Sequence, residues 1–345
     1  MRSFPDFITQ EPPRTNVPGD GSPARAAPSR RNPRKLACWL SCVCGFVTIL
    51  SIAPVLHASA GPDGAICVDD DSNRRVCLQE IPKRIISLAP SLTEILFDLG
   101  AGHLLVGRTT RCNEPPEAQK IQDIGAYMNP DLERILSLRP DLVLSPQTGM
   151  RREVVDRLTE LGIPVFVDNS NTLDEIVRLT ERLGTILGRE GAAEALVQRF
   201  RQRREVVAAR VAEVGKPLVL FAVGTRPLVI AGGKSFIGAL IREAGGVNVA
   251  EEAAIPYPRF SMEEVLRHDP DLILILNKEC RDEGCFNQWQ RHQALKAVRN
   301  KQIYPLDADL MARPCPRIME ALEKLTAILH PGSPGGSSAG VRTSK

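Results

Sequence analysis

The segment NPDLERILSLRPDLVLS, Asn129–Ser145, returns later in the chain as FSMEEVLRHDPDLILIL, Phe260–Leu276. With Asp131 set against Ser261, the two segments run in register to Leu144 and Leu274. Six aligned pairs are identical: Glu133/Glu263, Leu136/Leu266, Pro140/Pro270, Asp141/Asp271, Leu142/Leu272 and Leu144/Leu274. Each copy has a capping residue, a short helical pattern and an apolar run that is typical of a buried strand. The chain is therefore predicted to build the same helix–strand unit twice.

The composition is that of a globular protein large enough for two domains. The chain has 345 residues, of which 43% are hydrophobic. Its formal net charge of +3 comes from the first 60 residues, because the rest of the chain has 37 basic and 38 acidic side chains. A balanced charge of this kind argues against a nucleic-acid-binding protein.

Residues 1–60 are predicted to be a leader that ends in a secretory signal peptide. Basic residues precede an apolar run over 36–56, and Ala58-Ser59-Ala60 matches a signal-peptidase cleavage site. The alternative is an uncleaved signal anchor, because the apolar run is long for a signal peptide. Residues 331–345 are rich in Gly, Ser and Pro and are predicted to be a disordered tail.

Six cysteines follow the leader, and an even number in an exported chain favours disulfides. Cys67 and Cys77 flank a predicted hairpin, and Cys280 and Cys285 bracket a tight loop, so these two pairs are the disulfide candidates. The other two cysteines, Cys112 and Cys315, are expected to stay unbonded. Since the chain has no CxxC pair and no spaced histidines, no metal site is predicted.

Strands and helices alternate in two blocks, which predicts an α/β fold with two parallel sheets. The boundaries are an N-terminal lobe at 61–180, a connecting helix at 181–214 and a C-terminal lobe at 215–330. A helix over 190–214 would be about 37 Å long, enough to join two lobes. Within the first block, Ser91 is predicted to cap a helix with Glu94 at the capping-box position. A ligand cleft is expected between the lobes, at the carboxyl ends of the strands.

Several motifs, in this order and spacing, resemble one family. They are PKRIISLAPSLTEILFDLGAG, VGRTTRCNEPPEA, the first repeat, IPYPRF with the second repeat, and ARPCPRI. The chain is similar over about residues 64–330 to the helical-backbone class of periplasmic binding proteins, which serve ATP-binding cassette importers, and it resembles the cobalamin-binding members in particular. The resemblance implies two Rossmann-like lobes, a periplasmic location, no catalytic cofactor and a monomer that delivers cobalamin or another metal chelate to a membrane permease.

The resemblance also implies roles for individual residues. Glu133 and Glu263 match the glutamates that dock into permease arginines, although first-turn acids also simply favour the helix dipole. Tyr127 and Tyr257 match aromatic residues that pack on the corrin ring, although both could merely cover the loop bases. Arg313 and Trp289 are weaker ligand-binding candidates. The alternatives are a surface position for Arg313 and a helix start packed on the second lobe for Trp289.

Two alternatives to cobalamin capture stay open at this point. A cleft tyrosine could bind haem iron through its phenolate, and a ferric siderophore is also compatible with the class. A periplasmic enzyme could use the same two-lobed cleft, but the sequence has no Ser–His–Asp pattern or nucleophile elbow. We therefore expect a binding protein and not an enzyme.

Overall fold

The computed structural model describes residues 65–276 and 288–332. Three predictions lie outside these residues: the leader with its signal peptide, the Cys280–Cys285 pair and most of the predicted tail. Within the described part of the chain, no helix is both long and apolar enough to cross a membrane.

The described chain begins with a disulfide-linked hairpin. Strands β1 (Ile66–Asp69) and β2 (Arg75–Leu78) are antiparallel, and Cys67 pairs directly with Cys77 across them. The predicted disulfide between these two residues is confirmed, with a Cα–Cα distance of 4.1 Å. The hairpin turn contacts a later strand, because the Asp71 N–H donates to the Val167 carbonyl at 3.0 Å.

The first lobe is built on a four-stranded parallel sheet with the order β4-β3-β7-β8. Helices cover both faces, because side chains of alternating strand positions enter two separate apolar clusters. A small hairpin, β5–β6, lies beside the sheet. The elements are β3 (Ile85–Ser87), α1 (Pro90–Asp98), β4 (Leu105–Arg108), β5 (Gly125–Ala126), β6 (Asn129–Pro130), α2 (Leu132–Ser137), β7 (Leu142–Pro146), α3 (Arg152–Glu160) and β8 (Val165–Asp168).

Two helices, α4 (Leu173–Ile186) and α5 (Glu190–Val211), connect the lobes. They are separated at Gly188, which has a φ of +59°, as the sequence predicted. Each helix contributes to both lobes: Ala193 packs in the core of the first lobe and Val207 in the core of the second, while α4 is divided in the same way. The predicted connecting segment at 181–214 contains α5, and α4 also contributes to the two cores.

The second lobe repeats the architecture with one addition. Its sheet has the order β10-β9-β12-β13, and β11 also pairs with β9 in parallel. Strand β10 is antiparallel to β9 and has no counterpart in the first lobe. The elements are β9 (Leu218–Thr225), β10 (Leu228–Ile230), α6 (Phe236–Glu243), β11 (Val247–Asn248), α7 (Met262–His268), β12 (Leu272–Leu276), α8 (Lys296–Arg299), β13 (Ile303–Leu306), α9 (Ala308–Met311) and α10 (Ile318–Leu329).

The repeated sequence forms the same structure in both lobes. Helices α2 and α7 are capped by the side chains of Asp131 and Ser261, and Glu264 completes a capping box in α7. Each helix leads through a residue of positive φ, Arg139 or Asp269, into the next strand. Both helix starts therefore have the cap residues that the sequence predicted.

The two identical aspartates of the repeat anchor a neighbouring strand. Asp141 accepts hydrogen bonds from the backbone N–H groups of Lys83 and Arg84 at 2.8 and 3.0 Å, just before β3. Asp271 accepts one from the Leu218 N–H at 2.9 Å, at the start of β9. The aspartate of each Pro-Asp-Leu sequence thus helps to fix the register between two neighbouring strands, β7 and β3 in the first lobe and β12 and β9 in the second.

Candidate functional site

The carboxyl ends of the parallel strands mark the position of the predicted cleft. In the first lobe, the residues after β4, β7 and β8 lie at this edge, together with the loop between β5 and β6 that carries Tyr127. In the second lobe, the loop after β11 carries Tyr257, and the segment after β13 carries Arg313. Each of these three predicted ligand-binding residues therefore lies in a segment that the topology brings to a sheet edge.

Tyr127 is half-buried against the core of the first lobe. Its hydroxyl donates a hydrogen bond to the Thr148 carbonyl oxygen at 3.0 Å, which fixes the ring relative to the end of β7. Burial raises the pKa of Tyr127 well above its ordinary value, and the nearby Cys112 and Asp168 raise it further. The ring is therefore a neutral, oriented phenol near neutral pH.

Tyr257 occupies a comparable position in the second lobe, half-buried against its core. The loop is held on both sides of the tyrosine, because Gly232 donates its N–H to the Pro256 carbonyl at 2.8 Å and Ile230 donates to the Pro258 carbonyl at 3.0 Å. Gly232 permits this approach, since a Cβ there would lie 3.1 Å from the Ile255 carbonyl oxygen. Burial raises the pKa of Tyr257 to about 12.

Arg313 is buried at the contact between the lobes, with 7% of its surface exposed. Its guanidinium donates to Glu94 Oε1 at 2.7 Å and to Asn113 Oδ1 at 2.6 Å, both in the first lobe. Arg317 also donates to Glu94, at 2.7 Å to Oε2. We call Glu94, Arg313 and Arg317 the interlobe bridge. The position of Arg313 is therefore neither on the surface nor in an open cleft, and its predicted ligand contact stays a prediction.

The role predicted for Glu94 was wrong. Helix α1 begins at Pro90 with Ala89 as its N-cap, so Ser91 lies inside the helix and the capping box does not form. Glu94 is 4% exposed and turns towards the second lobe. A capping-box pattern is local, whereas these two arginine partners lie more than 200 residues further along the chain. No sequence signal near Glu94 could have identified them.

Trp289 is part of the second-lobe core. It is 2% exposed and packs in an apolar cluster with side chains of β9 and β12. This position matches the structural alternative for Trp289, whereas its predicted ligand contact remains without support from the described residues.

Glu133 and Glu263 are both exposed at the second position of their helices. Among the residues that the structure describes, Glu133 has no hydrogen-bond or ion-pair partner. Hydrogen bonds from its own backbone N–H and from the Ser261 hydroxyl lower the pKa of Glu263, so this carboxylate is ionised at neutral pH. Each lobe thus presents one exposed carboxylate at the same point of the repeat.

Cys112 and Cys315 are free, buried thiols. Cys112 Sγ lies 3.3 Å from Thr109 Oγ1, and Cys315 Sγ donates to Glu94 Oε2 at 3.3 Å. Burial raises the pKa of both thiols. Cys315 packs in the core of the first lobe although its segment follows β13 of the second. Over the described stretches, no group of three or more His, Cys, Asp or Glu side chains could hold a metal ion.

The geometry agrees with comparisons to known proteins. A family model described as periplasmic binding protein matches residues 85–310, which span both sheets. The vitamin B12-binding protein of Vibrio parahaemolyticus serotype O3:K6 is 28% identical over 240 residues, covering 70% of this chain and 86% of that protein. The vitamin B12-binding protein of Pectobacterium carotovorum subsp. carotovorum is 29% identical over 263 residues, covering 75% and 92%.

Solved structures give the same result for the fold. The periplasmic vitamin B12 binding protein BtuF of Vibrio cholerae superposes with a TM-score of 0.66 at 28% identity, covering 72% of this chain and 97% of that one. The periplasmic heme-binding protein RhuT of Roseiflexus sp. RS-1 gives a TM-score of 0.66 at 27% identity, covering 72% and 98%. The chain belongs to the periplasmic binding protein family.

Proposed function

We propose that this protein captures cobalamin in the periplasm and delivers it to an ATP-binding cassette importer. The observation that carries the proposal is the similarity to vitamin B12-binding proteins, which extends over both lobes and the helices between them. A protein of this kind binds and releases its ligand unchanged, so no catalytic residue or cofactor is assigned.

The two loop tyrosines support a flat, largely apolar ligand. Tyr127 and Tyr257 are each half-buried and each held by a loop at a sheet edge. Aromatic faces of this kind offer a large contact area to a macrocycle and lose little side-chain entropy on binding. We assign both rings to the ligand contact, one from each lobe.

Isothermal titration with cyanocobalamin, haemin and a ferric siderophore tests the ligand. We expect cyanocobalamin to bind one-to-one with a micromolar or lower Kd, and the other two to bind more weakly. Tyr127→Ala with Tyr257→Ala should weaken cyanocobalamin binding at least tenfold. Tyr304→Ala is the matched control, because this third tyrosine lies on β13, outside the two loops. Tight binding of haemin alone would reject the cobalamin assignment.

Haem is the second candidate, and the solved heme-binding structure favours it specifically. A tyrosinate ligand to haem iron must lose its proton, yet burial holds the pKa of both tyrosines high. Tyr127 would also have to give up its hydrogen bond to Thr148. If haem is the ligand, Tyr→Phe at one position should abolish haemin binding and its charge-transfer absorption. If cobalamin is the ligand, the same change should leave most of the affinity, because the ring face is retained.

We propose that Glu133 and Glu263 dock the protein on arginines of the importer permease. Their exposure, their matching positions and the use of Glu264 instead of Glu263 in the capping box of α7 support this role. Carboxylates on two lobes suit bidentate arginine pairing at two points. Glu133→Ala with Glu263→Ala should leave cyanocobalamin affinity and the melting temperature unchanged while abolishing uptake into vesicles that contain the importer. Normal uptake by this double variant would contradict the docking role of the two glutamates.

A further inference from the structure

Each repeated helix exposes a leucine beside its glutamate. Leu136 follows Glu133 by three residues in α2, and Leu266 follows Glu263 by three residues in α7. Residues three apart lie on the same face of a helix. Both leucines are 39% exposed. The same face of each lobe therefore presents a carboxylate next to an apolar side chain.

These leucines are not the residues that anchor the helices. Ile135 in α2 and Val265 in α7 are completely buried and supply the core contact of each helix. The leucine side chains are therefore exposed on helices that already have an apolar attachment to their lobe.

The two leucines differ from the other exposed apolar residues, because they occupy matching positions in the repeat. Five other large apolar residues are exposed in the described part of the chain, and all of them lie outside the repeated segments: Ile81, Leu161, Val206, Val247 and Ile255. Only Leu136 and Leu266 combine exposure with an identical place in the repeat. Two equivalent exposed leucines indicate a contact that the protein makes twice.

The neighbouring charges leave the two glutamates available. In α2 the first-turn arginine, Arg134, pairs with Asp131 at 3.1 Å and not with Glu133. In α7 it is Glu264 that receives the Ser261 backbone N–H at 2.6 Å and so completes the cap. Each surface consequently offers one anionic group and one apolar group to a partner.

We propose that the pairs Glu133–Leu136 and Glu263–Leu266 are two copies of one composite docking surface. The occupant is the importer permease, which must present a basic side chain beside an apolar recess to each copy; this inference rests on the function proposed above. The carboxylate pairs with the basic side chain of the permease, and the leucine contributes separately by burying its apolar surface in the recess. Leu136 and Leu266 thereby become partner-binding residues in their own right.

The test separates the apolar from the ionic contribution. Leu136→Gln with Leu266→Gln keeps good helix-forming residues and removes only the apolar groups. The matched control is Leu161→Gln with Val206→Gln, two exposed positions outside the repeat. Cyanocobalamin titration and thermal melting are measured on each variant. Affinity for the importer and cyanocobalamin uptake are measured with liposomes that hold an importer active with the unmodified chain.

We expect the leucine variant to bind cyanocobalamin and melt normally, but to lose at least tenfold in importer affinity, while the control pair behaves like the unmodified chain. The loss should persist at high salt, whereas the loss in Glu133→Ala with Glu263→Ala should depend on salt, because only the ionic contribution is screened. Normal importer affinity of the leucine variant, when the glutamate variant is defective, overturns this inference alone. Normal affinity of both variants overturns the docking proposal itself.

Discussion

Glu94 is a buried carboxylate whose cationic partners both come from the other lobe. Removing one member of a buried ion pair leaves the remaining charge without compensation. We expect Glu94→Gln to lower the free energy of unfolding by about 3 kcal/mol, because Arg317 loses its paired carboxylate and Arg313 keeps only the ion pair with Asp309 at 3.2 Å. Urea unfolding followed by circular dichroism measures the change.

Glu160→Gln is the appropriate control for that measurement. Glu160 pairs with Arg157 at 3.0 Å, but both side chains are more than half exposed. An exposed pair contributes little, so the urea midpoint should stay near that of the unmodified chain. Equal shifts of the urea midpoint for the two variants would show that the interlobe bridge contributes no more to stability than an exposed ion pair.

Asp168, at the end of β8, makes the stability of the first lobe depend on pH. Burial, together with the nearby charge of Asp71, raises its pKa from 3.8 to about 6. A carboxyl whose pKa is higher in the folded state stabilises the fold below the unfolded pKa, and this contribution is lost as the pH rises from about 4 to 6. Asp168→Asn, which keeps an acceptor for the Ser170 hydroxyl, should therefore be more stable than the unmodified chain by about 3 kcal/mol at pH 7.

Unfolding free energies at pH 4 and pH 7 check this expectation. The advantage of Asp168→Asn should disappear at pH 4, where the unmodified carboxyl is already neutral. A constant difference at the two pH values would mean that the charge of Asp168 is not responsible.

At the scale of the elements, the repeated aspartates are the simplest units to test. Asp141→Ala and Asp271→Ala each remove the acceptor for a backbone N–H at the start of β3 or β9. Each change should cost about 1 kcal/mol, because these side chains are partly exposed and water can replace them. Hydrogen exchange should accelerate at Arg84 in the first variant and at Leu218 in the second. Faster exchange in the other lobe would contradict the local role.

Local patterns in the sequence were sufficient for most elements. The caps at Asp131 and Ser261, the break at Gly188 and the Cys67–Cys77 hairpin all depend on residues that are close along the chain. Of the two errors at α1, one is local and the other depends on residues far along the chain. The N-terminal start of α1 depends on Pro90 and not on the nearby serine, and the task of Glu94 depends on arginines from the other lobe.

The candidate site was predictable to the same extent. The repeat and the resemblance placed Glu133, Glu263, Tyr127 and Tyr257 in surface helices and loops, where the structure also has them. Burial could not be read from the residue type of Arg313, because a buried arginine needs partners that the local sequence does not contain. The contribution of α4 to both cores was also not predicted. Its apolar face is continuous, so the sequence does not show that its two halves pack in different lobes.

For the whole molecule, the helices and the ion pairs that join the two lobes predict only small movements between them. Both α4 and α5 contribute to the two cores, and the interlobe bridge adds a third tie. Size scaling gives a radius of gyration of about 19 Å for a monomer without its leader, and we expect saturating cyanocobalamin to change it by less than about 1 Å. Small-angle X-ray scattering measures this value and the predicted monomeric mass together. A contraction of several ångströms would require hinges that the two helices do not provide.

Because the ribosome makes the chain from its amino terminus, the late positions of Cys315 and Arg317 determine when the first lobe can finish folding. The first lobe is synthesised first, yet its core includes Cys315. Its buried Glu94 pairs with Arg313 and Arg317, which are added only near the end of synthesis. The amino-terminal half therefore cannot reach its final packing as an independent unit during synthesis. Its core and its buried carboxylate stay incomplete until residue 317 has been added.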